Sequence, residues 1–282
     1  MTRRTKDRGN WVIPVTAGVL AAYAIAAVIV PLAIGYDPQR VDVIDRLLAP
    51  GSRLSGGGIS VFGTDQSGRD ILGEVTQGAR VSLLVGVLTI VLGGGVGTAL
   101  GIAAGFLRGA TDTAVMRLAD MQLAFPSILL AVFIAAVLGP SVPNVVITLG
   151  ITAWPLFARV ARAQTIAVRD REFVDASRTL GARAWHIVRH AVVPAVMGPV
   201  LVVATAQFGL VIVAEASLSF LGLGVPAGVP SWGRTISAGR DYLDTAWWIC
   251  TIPGIALAVL VVAAGTLGDA LRERFNPYRT RR

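Results

Sequence analysis

Two histidines stand four residues apart, His186 and His190, and the chain has no others. On a helix that spacing puts both rings on one face, as a zinc site needs. Two ligands do not fill a tetrahedral shell, and no Glu follows His186, so they read as surface or partner-facing side chains. The run Asp65-Gln66-Ser67-Gly68-Arg69-Asp70 begins like a calcium loop but lacks the distal bidentate Glu and the fuller set of oxygen ligands. A turn in which Asp65 accepts backbone hydrogen bonds fits it better. The sole lysine is Lys6, so a glycine-rich phosphate loop ending in Gly-Lys-Ser/Thr is excluded from this chain. The sole cysteine, Cys250, lies inside an apolar run, which leaves neither a disulfide framework nor a cysteine metal site. What remains is a carboxylate and an amide within apolar sequence, Glu215 and Gln207. There is also a charged insert between two apolar runs, from Arg169 through Asp175-Ala176-Ser177-Arg178-Thr179-Leu180-Gly181 to Pro194.

An ionisable group in hydrocarbon costs about 3 kcal/mol or more unless it faces a bundle interior or a wet cavity. Glu215, near one end of its apolar run, either lines a translocation pathway and meets a substrate ammonium, or bonds to a neighbouring helix or to Arg234 or Arg240. Interhelical polar contacts are common, which favours the second reading. Gln207, two turns away, carries the same two readings.

The elements that position these residues are read from composition. Hydrophobic residues make up 54% of the 282, charged residues only 15%, and the mean hydropathy is +0.68. A soluble domain carries roughly a quarter charged residues, so this is an integral membrane protein. A span of hydrocarbon about 30 Å thick takes about 20 apolar residues. That ruler predicts an all-α polytopic protein with about six transmembrane helices: Val12 to Ile34, Val81 to Leu107, Met121 to Leu138, Val142 to Val168, Pro194 to Phe220 and Trp247 to Gly268. Apolar and polar residues do not alternate strictly in them, which argues against a barrel. Arg3, Arg4, Lys6 and Arg8 precede the first run, which is too long for a signal peptide and ends without a cleavage site. It reads as an anchored helix.

The runs divide the chain into a tail with the first span (1–35), an external segment (36–80) and a core of five spans (81–282). Gly93, Gly97, Gly101 and Gly105 form a smooth stripe along the second span, fitted to close helix packing. Pro126, Pro155 and Pro253 interrupt others, where kinks are expected. Basic residues gather in the N-terminal tail, in Arg159 to Arg189 and in the tail bearing Arg272, Arg274, Arg279, Arg281 and Arg282. Short cytoplasmic loops collect Lys and Arg, so six spans put all three regions, and both termini, in the cytoplasm. The formal charge of +8 is then accounted for by topology rather than by nucleic acid binding. The opposite side receives Gly35 to Arg80 and Leu221 to Ala246, where both signs are mixed.

Within the insert, Phe173, Ala176 and Leu180 recur at helical spacing while Glu172, Asp175 and Arg178 fall elsewhere, which predicts a short amphipathic helix. Gly181 stands where a left-handed cap is wanted. Ala184, Ile187, Val188 and Ala191 resume the period in a second helix leading to Pro194. By periodicity alone, a hairpin that merely joins two spans is as good a reading as a docking surface.

The spacing of Asp175-Ala176-Ser177, three residues, Gly181, nine residues and Ala191-Val192-Val193-Pro194 resembles the EAA loop of ABC-importer permeases. That loop reads Glu-Ala-Ala, three, Gly, nine, Ile-x-Leu-Pro; here Asp replaces Glu, Ser the second Ala, Ala191 the Ile and Val193 the Leu. Phe62-Gly63-Thr64-Asp65 with Gly68-Arg69-Asp70, Gly78-Ala79-Arg80-Val81-Ser82-Leu83, Ala214 through Gly224, Pro230-Ser231-Trp232-Gly233, Gly239-Arg240-Asp241-Tyr242 and Leu267 through Arg272 are similar to the second ("C") type of dipeptide and oligopeptide permease. The likeness runs from about Phe62 almost to the C terminus.

The resemblance implies a non-catalytic permease subunit of an ATP-driven peptide importer in the cytoplasmic membrane, with no cofactor of its own. ATP and Mg would sit on two partner nucleotide-binding domains. Phe173, Asp175, Ala176, Ser177, Leu180, Gly181 and Pro194 would couple to them as a cytoplasmic coupling-helix loop. A second homologous permease would complete the pore, and an extracytoplasmic peptide-binding protein would meet the other side, with Asp65, Arg69, Asp70, Trp232, Arg240 and Asp241 as contacts. The alternative is a proton- or sodium-coupled secondary transporter, which needs coupling carboxylates at mid-membrane. Glu215 is the lone candidate for that role and sits near an end.

Overall fold

The computed structural model describes residues 8–39 and 41–274. Arg3, Arg4, Lys6, Arg40, Arg279, Arg281 and Arg282 lie outside the described residues. Helices account for nearly all regular structure among those described, and the two antiparallel bridges, Arg53 with Ile59 and Thr64 with Asp70, are isolated.

The first helix, α1, is Arg8–Ala33. α2 covers Ile71–Thr89 and passes through a π-turn at Ile90–Gly94 into α3, Gly95–Leu107. α4 is Gly109–Leu123 and α5 Ser127–Leu138. α6 is Val142–Arg169, and the short α7 is Glu172–Thr179. α8, Ala184–Ile187, runs through a second π-turn at Val188–Val192 into α9, Val193–Phe220. α10 is Trp232–Gly239 and α11 Trp248–Arg274. Five of the resulting helices are long and apolar enough to cross a membrane, and α4 with α5 makes a sixth candidate only if the bent pair is one span.

Three boundaries correct the sequence reading. The second span begins not at Val81 but at Ile71, because Asp70 caps it: its Oδ1 accepts from Leu72 N at 2.7 Å and Gly73 N at 3.4 Å. Ile71 to Arg80, read as part of the external segment, are therefore helical. The expected span Met121 to Leu138 is not one helix. It breaks between α4 and α5 with a bend of 91°, since Pro126 has no N–H to give and takes up a non-helical ψ of 121°. The segment read as a separate helix before Pro194 is instead continuous with the fifth span. Pro194 cannot donate back to His190, and the ladder widens there to a five-residue bond from Val193 N to Val188 O.

The most extensive helix contact in the fold is between α3 and α6, and the glycine stripe makes it. A Cβ on Gly93 would stand 2.7 Å from the Gly150 carbonyl oxygen, and one on Gly97 2.3 Å from that of Trp154. On Gly101 it would stand 2.3 Å from the Ala158 carbonyl oxygen, and on Gly105 2.8 Å from that of Arg162. The repeat of four runs on both helices, so two backbones lie against each other for three turns. Ala153, Phe157 and Ala161 of α6 are buried beside it and pack on Val192, Val196 and Val200, joining α9 to the pair. α1 and α11 close the other flank around Trp232 and Leu260.

Gly101→Ala should destabilise the purified protein by about 1 to 3 kcal/mol, because its methyl group has no room to enter. Gly95, in the same helix with nothing within 4 Å of its Cβ position, should accept Ala with a neutral or slightly raised melting temperature. Equal thermal shifts for the two substitutions would show that the stripe is not what holds α3 to α6.

Candidate functional site

At the end of the bundle that carries Gly181, α7 stands apart from the other helices. Val174 is its one fully buried residue. Phe173 is 50% exposed, Leu180 87% and Trp185 71%, with Ala176 exposed among them. The apolar stripe of Phe173, Ala176 and Leu180 therefore faces outward. Its helix ends in a six-residue capping pattern, with Ala182 N donating to Ser177 O at 3.0 Å and Gly181 N to Arg178 O at 2.9 Å. Gly181 has φ +83°, which only glycine adopts without strain. Ser177 Oγ donates back to Phe173 O at 2.8 Å. Asp175 does not reach off the helix, since Arg178 Nη1 donates to its Oδ1 at 3.0 Å. Six of the seven residues predicted for this surface come together here. Pro194 sits beyond the π-turn on α9, where it shapes the helix and is exposed.

Side chains also tie this end together in ways the sequence reading missed. Arg108, just past α3, donates to Asp170, just past α6. Asp112 and Asp120 of α4 pair with Arg162 and Arg159 of α6. Trp154 Nε1 donates to Gln122 Oε1 at 2.8 Å, again from α6 to α4. An alternation of Asp on one segment and Arg on another is visible in the sequence, but only the hairpin between α3 and α4 tells which pairs meet.

At the opposite end, residues 36–39 and 41–70 fold against α2, α10 and the start of α11. Asp65 is 1% exposed. Its Oδ1 accepts from Ser67 N at 2.7 Å and Arg69 N at 2.9 Å, and its Oδ2 from Arg69 Nε and Nη2 at 2.9 and 2.7 Å. The turn expected for this run is thus present, and the Asp65 carboxylate has no oxygen left for a partner. Arg69 also reaches Glu74 Oε1 at 3.3 Å, where Tyr36 OH donates at 3.0 Å, while Thr235 donates to Glu74 Oε2. Burial first, and then the Glu74 carboxylate, raise the Tyr36 hydroxyl above its ordinary pKa, so it remains the donor.

Two of the proposed partner contacts are overturned by burial. Trp232 is fully buried and donates from Nε1 to Val75 O at 2.8 Å, and Asp65 is enclosed as described. Arg69 is mostly occupied by its two carboxylates, and Asp70 by the α2 cap. Arg240 and Asp241 are exposed and bond each other at 3.2 Å. Glu74 was not singled out beforehand. Its signal was an acidic residue one turn into a helix that the sequence reading began ten residues too late.

Glu215 is fully buried in α9. Ser82 Oγ of α2 donates to its Oε2 at 2.7 Å and Ser219 Oγ to its Oε1 at 2.8 Å. Its geometry is that of an interhelical bond, made to serines rather than to Arg234 or Arg240. Gln207 is half-buried two turns away. His186 and His190 stack with ring centroids 4.3 Å apart, and His190 Nδ1 lies 3.0 Å from His186 O. Among the described residues no three His, Cys, Asp or Glu side chains come together as metal ligands.

Comparison with known proteins agrees with this architecture. The profile of the family described as binding-protein-dependent transport system inner membrane component matches residues 97–281. The chain is 40% identical over 252 residues to the di/tripeptide transport system permease protein of Pseudomonas aeruginosa, covering 89% of this chain and 83% of that one. It is 32% identical to the probable D,D-dipeptide transport system permease protein of Escherichia coli, covering 96% and 89%. It is 36% identical to the nickel transport system permease protein of the same organism, covering 95% of each. Among solved structures, the MetNI methionine ABC transporter in an inward-facing form shares the fold at a TM-score of 0.60 and 17% identity, over 73% of this chain and 98% of that one. The all-α, multi-pass fold and these matches agree, and the chain belongs to the family of inner membrane components of binding-protein-dependent transport systems.

Proposed function

We propose that this permease carries di- and oligopeptides across the cytoplasmic membrane as one half of a pore, with a second, homologous permease as the other half. Two nucleotide-binding domains, on one or two further chains, hold the ATP and Mg. This chain binds no cofactor and breaks no bond. An extracytoplasmic peptide-binding protein delivers solute to the side formed by residues 36–70 and α10, with Arg240 and Asp241 as exposed contacts.

One observation carries the coupling role: Phe173 on α7, Leu180 at its end and Trp185 on α8 stand on either side of the Gly181 cap and are left without cover by the described residues. Exposed apolar side chains set among charges mark a docking surface. ATP-driven closure of the nucleotide-binding domains pushes on it, and the spans alternate between inward- and outward-facing states. The orientation rests on Arg169, Arg171, Arg178, Arg183 and Arg189 at that end, the excess that cytoplasmic loops collect. Peptide as cargo rests on the peptide permeases at 40% identity, since nickel and peptide permeases both align along most of the chain.

Leu180→Asp should leave membrane insertion and thermal stability unchanged, because the side chain touches little of its own chain. ATPase co-purification should fall about tenfold or more, since the carboxylate would be buried unpaired in the partner's groove. Undiminished ATPase capture would sink the docking role, and uptake by the chain alone on a proton gradient would sink the ATP-driven reading.

Orientation is tested with Cys250→Ala as a cysteine-free background. An impermeant maleimide added to intact cells should label Arg240→Cys and spare Leu180→Cys. The reverse pattern would invert the topology.

A further inference from the structure

The end of the bundle that carries α7 brings two guanidinium groups over one aromatic ring. Phe106 lies in the last turn of α3. The guanidinium carbon of Arg169, at the end of α6, stands 5.8 Å from the ring centroid, and that of Arg178, on α7, stands 6.0 Å from it. Both lie within the reach of a cation–π contact. Arg169 Nε and Nη1 are buried without a hydrogen-bond partner, so the ring face is what those donors have been given. Arg178 is aimed by Asp175, which holds its Nη1 at 3.0 Å. Phe106 also packs against the cluster of Val168, Val192 and Val196, so its seat is shared by α3, α6 and the π-turn before α9.

We propose that Phe106 is a positioning residue for transport: clasped by Arg169 and Arg178, it is the staple through which displacement of α7 is delivered to the α3 and α6 pair. This rests on the reading of α7 as the coupling helix. No other helix packs extensively along α7. Among the described residues, the buried Val174 and the Arg178 contact on Phe106 tie it to the rest of the chain beyond its ends. Beyond the staple lies the glycine contact, where α3 and α6 touch backbone to backbone and leave no slack to absorb a push. The Arg108 to Asp170 pair also joins the same two helix ends. Asp175 thereby acquires a role within its own chain, since its carboxylate orients the cation that grips the ring.

The complete importer, with its ATPase and binding protein, is reconstituted in proteoliposomes, and peptide uptake is measured per ATP hydrolysed. Phe106→Leu keeps an apolar side chain of similar reach and removes the ring face, and should lower uptake per ATP about tenfold while hydrolysis continues. Phe106→Trp restores a π face and should return the ratio to within about twofold of wild type. Arg178→Gln, on an exposed helix where folding is not at stake, should reproduce the loss. The proposal is overturned if either Phe106→Leu or Arg178→Gln leaves the ratio unchanged, or if Phe106→Trp fails as badly as Phe106→Leu, which would make side-chain fit the cause. A wild-type chain that captures no ATPase would instead overturn the coupling reading on which the staple depends.

Discussion

The structure depends first on two backbones being allowed to touch. In a bilayer the lipid tails are as apolar as the side chains, so helices gain nothing from hiding apolar surface and associate by van der Waals fit and polar contacts. Gly93, Gly97, Gly101 and Gly105 remove every side chain from one face of α3 and the π-turn before it, and the carbonyls of Gly150, Trp154, Ala158 and Arg162 fill the space. Once that contact is set, the ends of α3 and α6 must emerge side by side. Phe106 and Arg108 then meet Arg169 and Asp170, and α4, turning back after Arg108, finds Arg159 and Arg162 within reach of its carboxylates.

At the other end the ordering agent is the need to satisfy buried carboxylates. Burying an unpaired charge is prohibitive, so Glu74, Asp65 and Glu215 each have to be surrounded by donors. Both oxygens of all three are taken, Glu74 by Tyr36, Arg69 and Thr235, Asp65 by Ser67 and Arg69, and Glu215 by Ser82 and Ser219. Glu74 binds α2 to Tyr36 and Arg69 on one side and to α10 on the other, and Glu215 binds α9 to α2, whereas Asp65 takes its donors from its own turn. Such saturation suits a structural clasp and leaves these oxygens nothing to offer a passing solute.

Much of this was written in local patterns. The glycine repeat declared a close contact, the Asp65 run declared its turn, and Gly181 declared a left-handed cap, because each depends on residues within a few positions of one another. What local patterns leave open or misplace depends on partners outside the local stretch. Phe173 and Leu180 recur at helical spacing, and periodicity finds that face without saying whether the same molecule or another covers it. Trp232 stands in a loop-like sequence rich in Gly and Pro and reads as exposed, whereas Tyr23 and Val75, remote in sequence, enclose it. The break at Pro126 was local and still underestimated, since a proline within apolar sequence either kinks a helix or ends it, and only the packing of α5 against α6 decides between them.

The two ends differ in stiffness, and that difference bears on how such a fold can move. Between α3 and α6 a shift of even a few tenths of an ångström meets carbonyl oxygens, so the pair behaves as one body. α7 is held by one buried valine, one ring contact and the chain at its two ends, one of them an unstrained glycine turn. A load applied at Leu180 therefore meets a light element joined to a rigid one. The light element cannot store the load in packing of its own, because it has almost none. Its displacement passes into the rigid pair through whatever joins them, and the joint lies at the helix ends, where a small rotation becomes the largest movement at the far end of a long helix. A stiff lever with a narrow point of attachment is what the glycine stripe and the capped helix make together, and neither would do so alone.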